Sequence, residues 1–112
     1  PGANSRGPVR ELGRFYNCLL KGGELDRQRI LSEESVELMT SRHREGLYDQ
    51  TLFHTVDFGL GVILDSNRYG ADTVPYGYSP YCSESTFGHG GSQSSIGFAD
   101  PDSELVVCYV AR

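Results

Sequence analysis

Apolar residues at Val9, Leu12, Tyr16, Leu19 and Leu20 recur at the three- and four-residue spacing of an amphipathic helix with one buried stripe. Ser5 or Gly7 is placed at its N-cap, with Pro8 at or near the first helical position, where a missing N–H does no harm. Gly22-Gly23 stops the helix, because glycine tolerates the left-handed conformation that ends many helices. A short connection through Leu25 and Ile30-Leu31 leads to a second helix capped by Ser32. Glu33 and Glu34 suit the positive end of its dipole, and Val36, Leu38 and Met39 are assigned to its inner face.

After Arg44 the period changes to that of strands. Phe58, Leu60, Val62 and Leu64 alternate with Asp57, Gly59, Gly61 and Ile63, which predicts one half-buried strand whose glycines mark a close approach. Residues 65–85 follow without a period and carry Tyr69, Tyr76, Tyr78 and Tyr81 among Gly, Pro and Ser; so long a segment predicts a functional or a mobile loop. Thr86–Ser92 and Ser95–Ala99 read as strands, and Asp100-Pro101-Asp102-Ser103 as a turn. Glu104–Ala111 is apolar on both faces and is expected to be a central strand covered on both sides.

Helices first and antiparallel strands after predict an α+β fold, an antiparallel sheet with helices on its face. Such a sheet needs two covering layers, and the chain supplies few helices. Residues 1–112 are therefore expected to be one segment of a larger domain, whose missing layer comes from elsewhere in the protein. At this length a chain buries roughly two-thirds of its surface, enough for a modest core.

Composition narrows the partners. An apolar content of 38% and a charged content of 22% are ordinary for a globular domain. A net charge of -5, with Lys21 the only lysine, excludes the basic patch that nucleic-acid binding requires. The longest nearly unbroken apolar run, Leu105 to Ala111, is too short to span a bilayer. Cys18, Cys82 and Cys108 lie far apart, which suggests neither a disulfide framework nor a zinc site. His43 and His54 flank Glu45 and Asp49 without a metal-ligand spacing and are read as part of a solvated loop. No metal and no cofactor is expected.

The chemically dense segment is Thr86-Phe87-Gly88-His89-Gly90-Gly91-Ser92-Gln93-Ser94-Ser95. Glycines around one histidine leave the strand's backbone bare, so a ligand's own backbone or acyl amide can pair with it edge to edge. Bare N–H groups are also what an oxyanion hole needs, since fixed dipoles require no reorganisation as charge develops. His89 adds a group able to donate or carry a proton. The strand-like Ile96-Gly97-Phe98 that follows argues against a phosphate loop, which leads into a helix.

The order of the segments narrows the reading. Arg10-Glu11-Leu12-Gly13-Arg14-Phe15-Tyr16, Gly22-Gly23-Glu24-Leu25, Ile30-Leu31-Ser32-Glu33-Glu34-Ser35-Val36 and Met39-Thr40 come first. Asp57-Phe58-Gly59-Leu60-Gly61, Phe87-Gly88-His89-Gly90-Gly91, Gly97-Phe98-Ala99-Asp100-Pro101 and Leu105-Val106-Val107 follow. In this order they resemble the C-terminal part of the serine β-lactamase and penicillin-binding-protein superfamily, in its class C-like, esterase-like branch, across essentially the whole chain. The resemblance implies a hydrolase working through an acyl-enzyme on ester, amide or β-lactam-like substrates. It sets His89-Gly90-Gly91 in the place of the Lys-Thr-Gly motif on the strand bordering the active site. His89 would position the substrate and stabilise charge, Gly90 and Gly91 would contact it, and Ser92 would lend its backbone N–H to the oxyanion hole. Gly90 replaces the usual Thr or Ser, and the lost hydroxyl leans the reading away from penicillins towards an ester, amide or peptide.

Two further motifs of that superfamily, Ser-x-x-Lys and Tyr-x-Asn or Ser-x-Asn, do not occur in these residues; Cys18 stands three residues before Lys21. Acylation needs nucleophile, base and proton shuttle together, so the segment is expected to be inert alone and to work with the N-terminal part of its own domain. The implied partner is a small-molecule or peptide-like acyl substrate. Two alternatives stand beside this reading. One is a non-catalytic ligand-binding or regulatory relative that takes peptidoglycan-like ligands. The other is an independent small α+β domain.

Overall fold

The structure, a computed structural model, describes residues 6–70, 78–91 and 95–111. Helix α1 spans Val9–Leu20. Pro8, in an extended conformation, is its N-cap, and no side chain caps it; Gly7 precedes the cap, and Ser5 lies outside the described residues. The helix closes as its glycines predict. Gly22 and Gly23 take φ of +64° and +95°, and the Gly23 amide donates to the Cys18 carbonyl at 2.8 Å. Gly23 is also a packing glycine, because a Cβ there would lie 2.3 Å from the Leu31 carbonyl oxygen. Strands β1 (Glu24–Leu25) and β2 (Gln28–Arg29) form a short hairpin leading to helix α2, Glu33–Thr40. The Ser32 hydroxyl accepts the Ser35 amide at 3.1 Å, and Val36 is buried on the inner face with Met39 packed beside it. Leu38, expected on that face, points out and is 53% exposed.

A second small hairpin, β3 (Tyr48–Asp49) with β4 (His54–Thr55), precedes the main sheet. That sheet is an antiparallel meander of β5 (Asp57–Phe58), β6 (Ile63–Leu64), β7 (Phe87–Gly91), β8 (Ser95–Asp100) and β9 (Leu105–Val110), in sequence order. The α+β layout, with α1 lying on β8 and β9, agrees with the sequence reading.

The single strand expected over 57–64 is a hairpin instead. Gly61 takes φ of +79°, and the Gly59 amide bonds the Val62 carbonyl at 2.9 Å, which folds the chain back. The close approach that the glycines signal is real: the Leu60 amide donates to the Met39 carbonyl, and a Cβ on Gly59 would lie 2.1 Å from that oxygen. The turn is docked on the end of α2. Among the described residues β9 is the outermost strand and Leu105, Tyr109 and Val110 are exposed, so the central place expected for it would need a neighbour from elsewhere in the protein. Its apolar faces reflect one face under α1 and another that no described element covers.

Tyr16, Leu19, Val36, Val62, Leu64, Phe87 and Ala99 form the core between the helices and one face of the sheet. Tyr16 seats its ring on Gly97, where a Cβ would lie 2.5 Å from Tyr16 Cε2. In the intact protein, Gly97→Ala should therefore lower unfolding stability by about 1–2 kcal/mol, the usual cost of overpacking less a small backbone-entropy gain. Denaturant titration of a double-mutant cycle checks the cause, because the same alanine should cost less beside Tyr16→Leu. Equal cost in both backgrounds would contradict the packing.

Candidate functional site

Among the described residues strand β7 has a full partner on one side only. It pairs with β8 from Phe87↔Ala99 to Gly91↔Ser95, whereas β6 covers only Phe87 and Gly88. Antiparallel ladders alternate the direction of successive peptide groups. The Asp65 amide donates to the Thr86 carbonyl at 2.8 Å, so Thr86 faces β6. Phe87, His89 and Gly91 then face β8, while Gly88 and Gly90 face the other way. The partner next in that series for Gly90 would be Gly61, but Gly61 is in the β5–β6 turn. Gly90 therefore holds its N–H and C=O towards an edge that no described strand occupies.

His89 borders that edge. Its Nδ1 lies 2.6 Å from the Gly90 carbonyl oxygen, and a carbonyl can only accept, so Nδ1 carries the proton. The side chain shares a face with Phe87 and is half-buried. Gly97 stands across from it in register, with the Tyr16 ring on the glycine. Burial pushes the Tyr16 phenol up to about 12, the Cys108 thiol adds to this and the His89 amide opposes it. Tyr16 thus stays a neutral phenol and cannot serve as an ionised base at neutral pH. His89, Gly90 and Gly91 stand together on β7, as the motif predicts; Ser92 lies outside the described residues.

Two buried carboxylates fix where β7 begins, and the sequence reading missed one of them. Asp57, fully buried, accepts from Arg42 Nε at 2.9 Å, the Tyr69 hydroxyl at 2.9 Å and the Gly46 amide at 2.9 Å, with Arg68 at 3.0 Å. Arg42 also donates to the carbonyls of Asp65 and Glu84, joining the loop after α2 to both ends of the long segment before β7. Burial raises the Asp57 carboxyl, but the Gly46 amide, Arg42, Tyr69 and Arg68 outweigh it and hold it below the ordinary value. No sequence spacing announces this cluster, because Arg42, Asp57 and Arg68 meet only through the fold. Asp100, read as a turn residue, accepts from Ser83 Oγ at 2.6 Å and Ser103 Oγ at 3.2 Å, tying the entry of β7 to the end of β8.

The tyrosines expected at a substrate entrance divide. Tyr69 binds Asp57, and Tyr78 donates to the Ile63 carbonyl at 2.8 Å with its ring against Phe98, so both fasten the loop to the sheet. Tyr81 is exposed, and Tyr76 lies outside the described residues. His43 bonds the Leu38 carbonyl, Glu45 pairs with Arg68 and Asp49 with Arg44. Among the described residues no group of three His, Cys, Asp or Glu side chains could hold a metal ion, and the three cysteines are free thiols.

Comparison with known proteins is consistent with this geometry. A family model described as "Beta-lactamase" matches residues 1–112. The chain is 34% identical over 110 residues to "Esterase/beta-lactamase LipL" of Mycobacterium tuberculosis (strain ATCC 25618 / H37Rv), covering 98% of this chain and 23% of that relative. A penicillin-binding protein homolog from Caulobacter crescentus superposes with a TM-score of 0.72 at 26% identity, over 88% of this chain and 24% of that one. A family VIII carboxylesterase gives 0.69 at 27% identity over the same shares, 88% and 24%. The chain thus spans about a quarter of the length of the relatives it matches.

The Asp57 cluster sets an acid limit on stability. A carboxyl held below its ordinary 3.8 contributes stability that is fully present above that value and lost as pH falls through the lower folded-state value. Asp57→Asn should cost the intact protein about 3 kcal/mol at neutral pH, the low end for a broken buried pair because both guanidiniums are partly solvated. It should also flatten the decline in melting temperature below pH 4 by about one proton's worth of slope. A variant with wild-type stability and an unchanged acid slope would contradict the role given to Asp57.

Proposed function

The chain belongs to the β-lactamase family, and from that membership we propose that it forms the substrate-pairing wall of a serine hydrolase working through an acyl-enzyme. The single observation that carries this is the edge at Gly90 beside His89, which no described strand covers. An acyl substrate laid along that edge pairs with the Gly90 amide. Ser92 contributes its amide to the oxyanion hole, and Gly91 leaves room for the acyl chain to approach. The nucleophilic serine and its lysine base come from the rest of the protein, so residues 1–112 are inert alone. Ester, amide or peptide substrates suit the site better than penicillins, because Gly90 brings no hydroxyl for a carboxylate.

The intact protein tests this. A fluorophosphonate should label one serine covalently, and His89→Ala should slow that acylation by about 10–100-fold, the order expected when a positioning group is lost. The thermal midpoint should move little, since His89 is only half-buried. An unlabelled protein would point to a non-catalytic binding relative, and an unchanged labelling rate in His89→Ala would remove the role given to His89.

A further inference from the structure

We propose that His89 is a specificity-determining residue that serves the open edge as its hydrogen-bond acceptor, through Nε2; this rests on the hydrolase reading above. The bond from Nδ1 to the Gly90 carbonyl, at 2.6 Å, fixes the proton on Nδ1. A neutral imidazole then carries its lone pair on Nε2. Among the described residues Nε2 has no partner, and none of their fully buried side-chain nitrogens or oxygens lacks one, so Nε2 is not fully buried.

The same bond changes what the edge offers. An ordinary strand edge presents a donor and an acceptor from one residue, its N–H and its C=O. Here the imidazole occupies the Gly90 carbonyl, which leaves the Gly90 amide as a bare donor and moves the acceptor from backbone to ring. An acyl group pairing with the edge sets a carbonyl on the Gly90 amide and an N–H on Nε2. Acyl chains with an N–H donor beside the reacting carbonyl are therefore preferred over isosteres that lack it. The effect lies in binding and orientation, and no proton changes hands.

Two esters separate this from a packing role: N-acetylglycine p-nitrophenyl ester and its acetoxyacetic analogue, in which oxygen replaces the N–H. The intact wild-type protein should favour the first in kcat/KM by about tenfold, the scale of one neutral hydrogen bond with its unpaired penalty. In His89→Asn the amide nitrogen stands where Nδ1 did, keeping the cap on Gly90 but losing the acceptor. The preference should fall to near unity in that variant and in His89→Ala. In His89→Gln the longer side chain carries an oxygen to the reach of Nε2, and part of the preference should return. A preference that survives in His89→Asn and His89→Ala, or is missing in the wild type, overturns the inference while turnover of both esters leaves the hydrolase reading standing. No turnover of either ester, with no fluorophosphonate label, removes the hydrolase reading and this inference with it. Nitrogen-15 NMR of the labelled wild-type histidines needs no variant: neutral His89 should be the Nδ1–H form, and the Nε2–H form would overturn the proposal.

Discussion

A strand in an antiparallel sheet has two edges, and a residue that turns its N–H and C=O to one edge cannot also serve the other. That constraint organises this molecule. Strand β7 gives its Phe87, His89 and Gly91 groups to β8, and β6 takes only the start of the opposite edge. The chain is folded back at Gly59–Val62 because the turn docks on the Met39 carbonyl, in a space that a Cβ on Gly59 would fill. The open edge at Gly90 thus follows from a contact made by the end of helix α2. Had residues 57–64 run on as one strand, they would have covered the backbone that the motif leaves bare.

An open edge is useful only if its position is fixed. Among the described residues, buried charge holds the ends of the long segment before β7. Asp57 gathers Arg42, Arg68 and Tyr69, Arg42 reaches the carbonyls on either side of the segment, and Asp100 takes hold of Ser83. A buried carboxylate is costly to desolvate, and one that meets several donors is held where those donors are. On the helical side Tyr16 fills the space that Gly97 leaves across from His89. Polar clamps below and an aromatic wedge beside it fix the strand in position and direction.

Much of this was legible in the sequence where one residue has one local reason. Ser32 caps a helix because its hydroxyl reaches an amide three residues on, and Gly22-Gly23 end one because of their positive φ. The segment Phe87–Gly91 announced a bare strand beside a histidine, and the structure has one. Where the outcome depends on partners distant in sequence, the pattern misled. The alternation over 57–64 suits one strand or a tight hairpin equally well, and the docking of α2 decides between them. Leu38 has the spacing of an inward residue but is exposed. Arg42, Asp57 and Arg68 carry no signature because charge pairs have no period.

Amide hydrogen exchange at Gly90 in the intact protein, free and then blocked by a fluorophosphonate, tests the account most directly. In the free protein the Gly90 amide should exchange rapidly while those of His89 and Gly91, turned to β8, are protected; in the blocked protein Gly90 should become protected too. Slow exchange at Gly90 before any ligand is bound would mean that the edge is already paired, and the account would fail at its root.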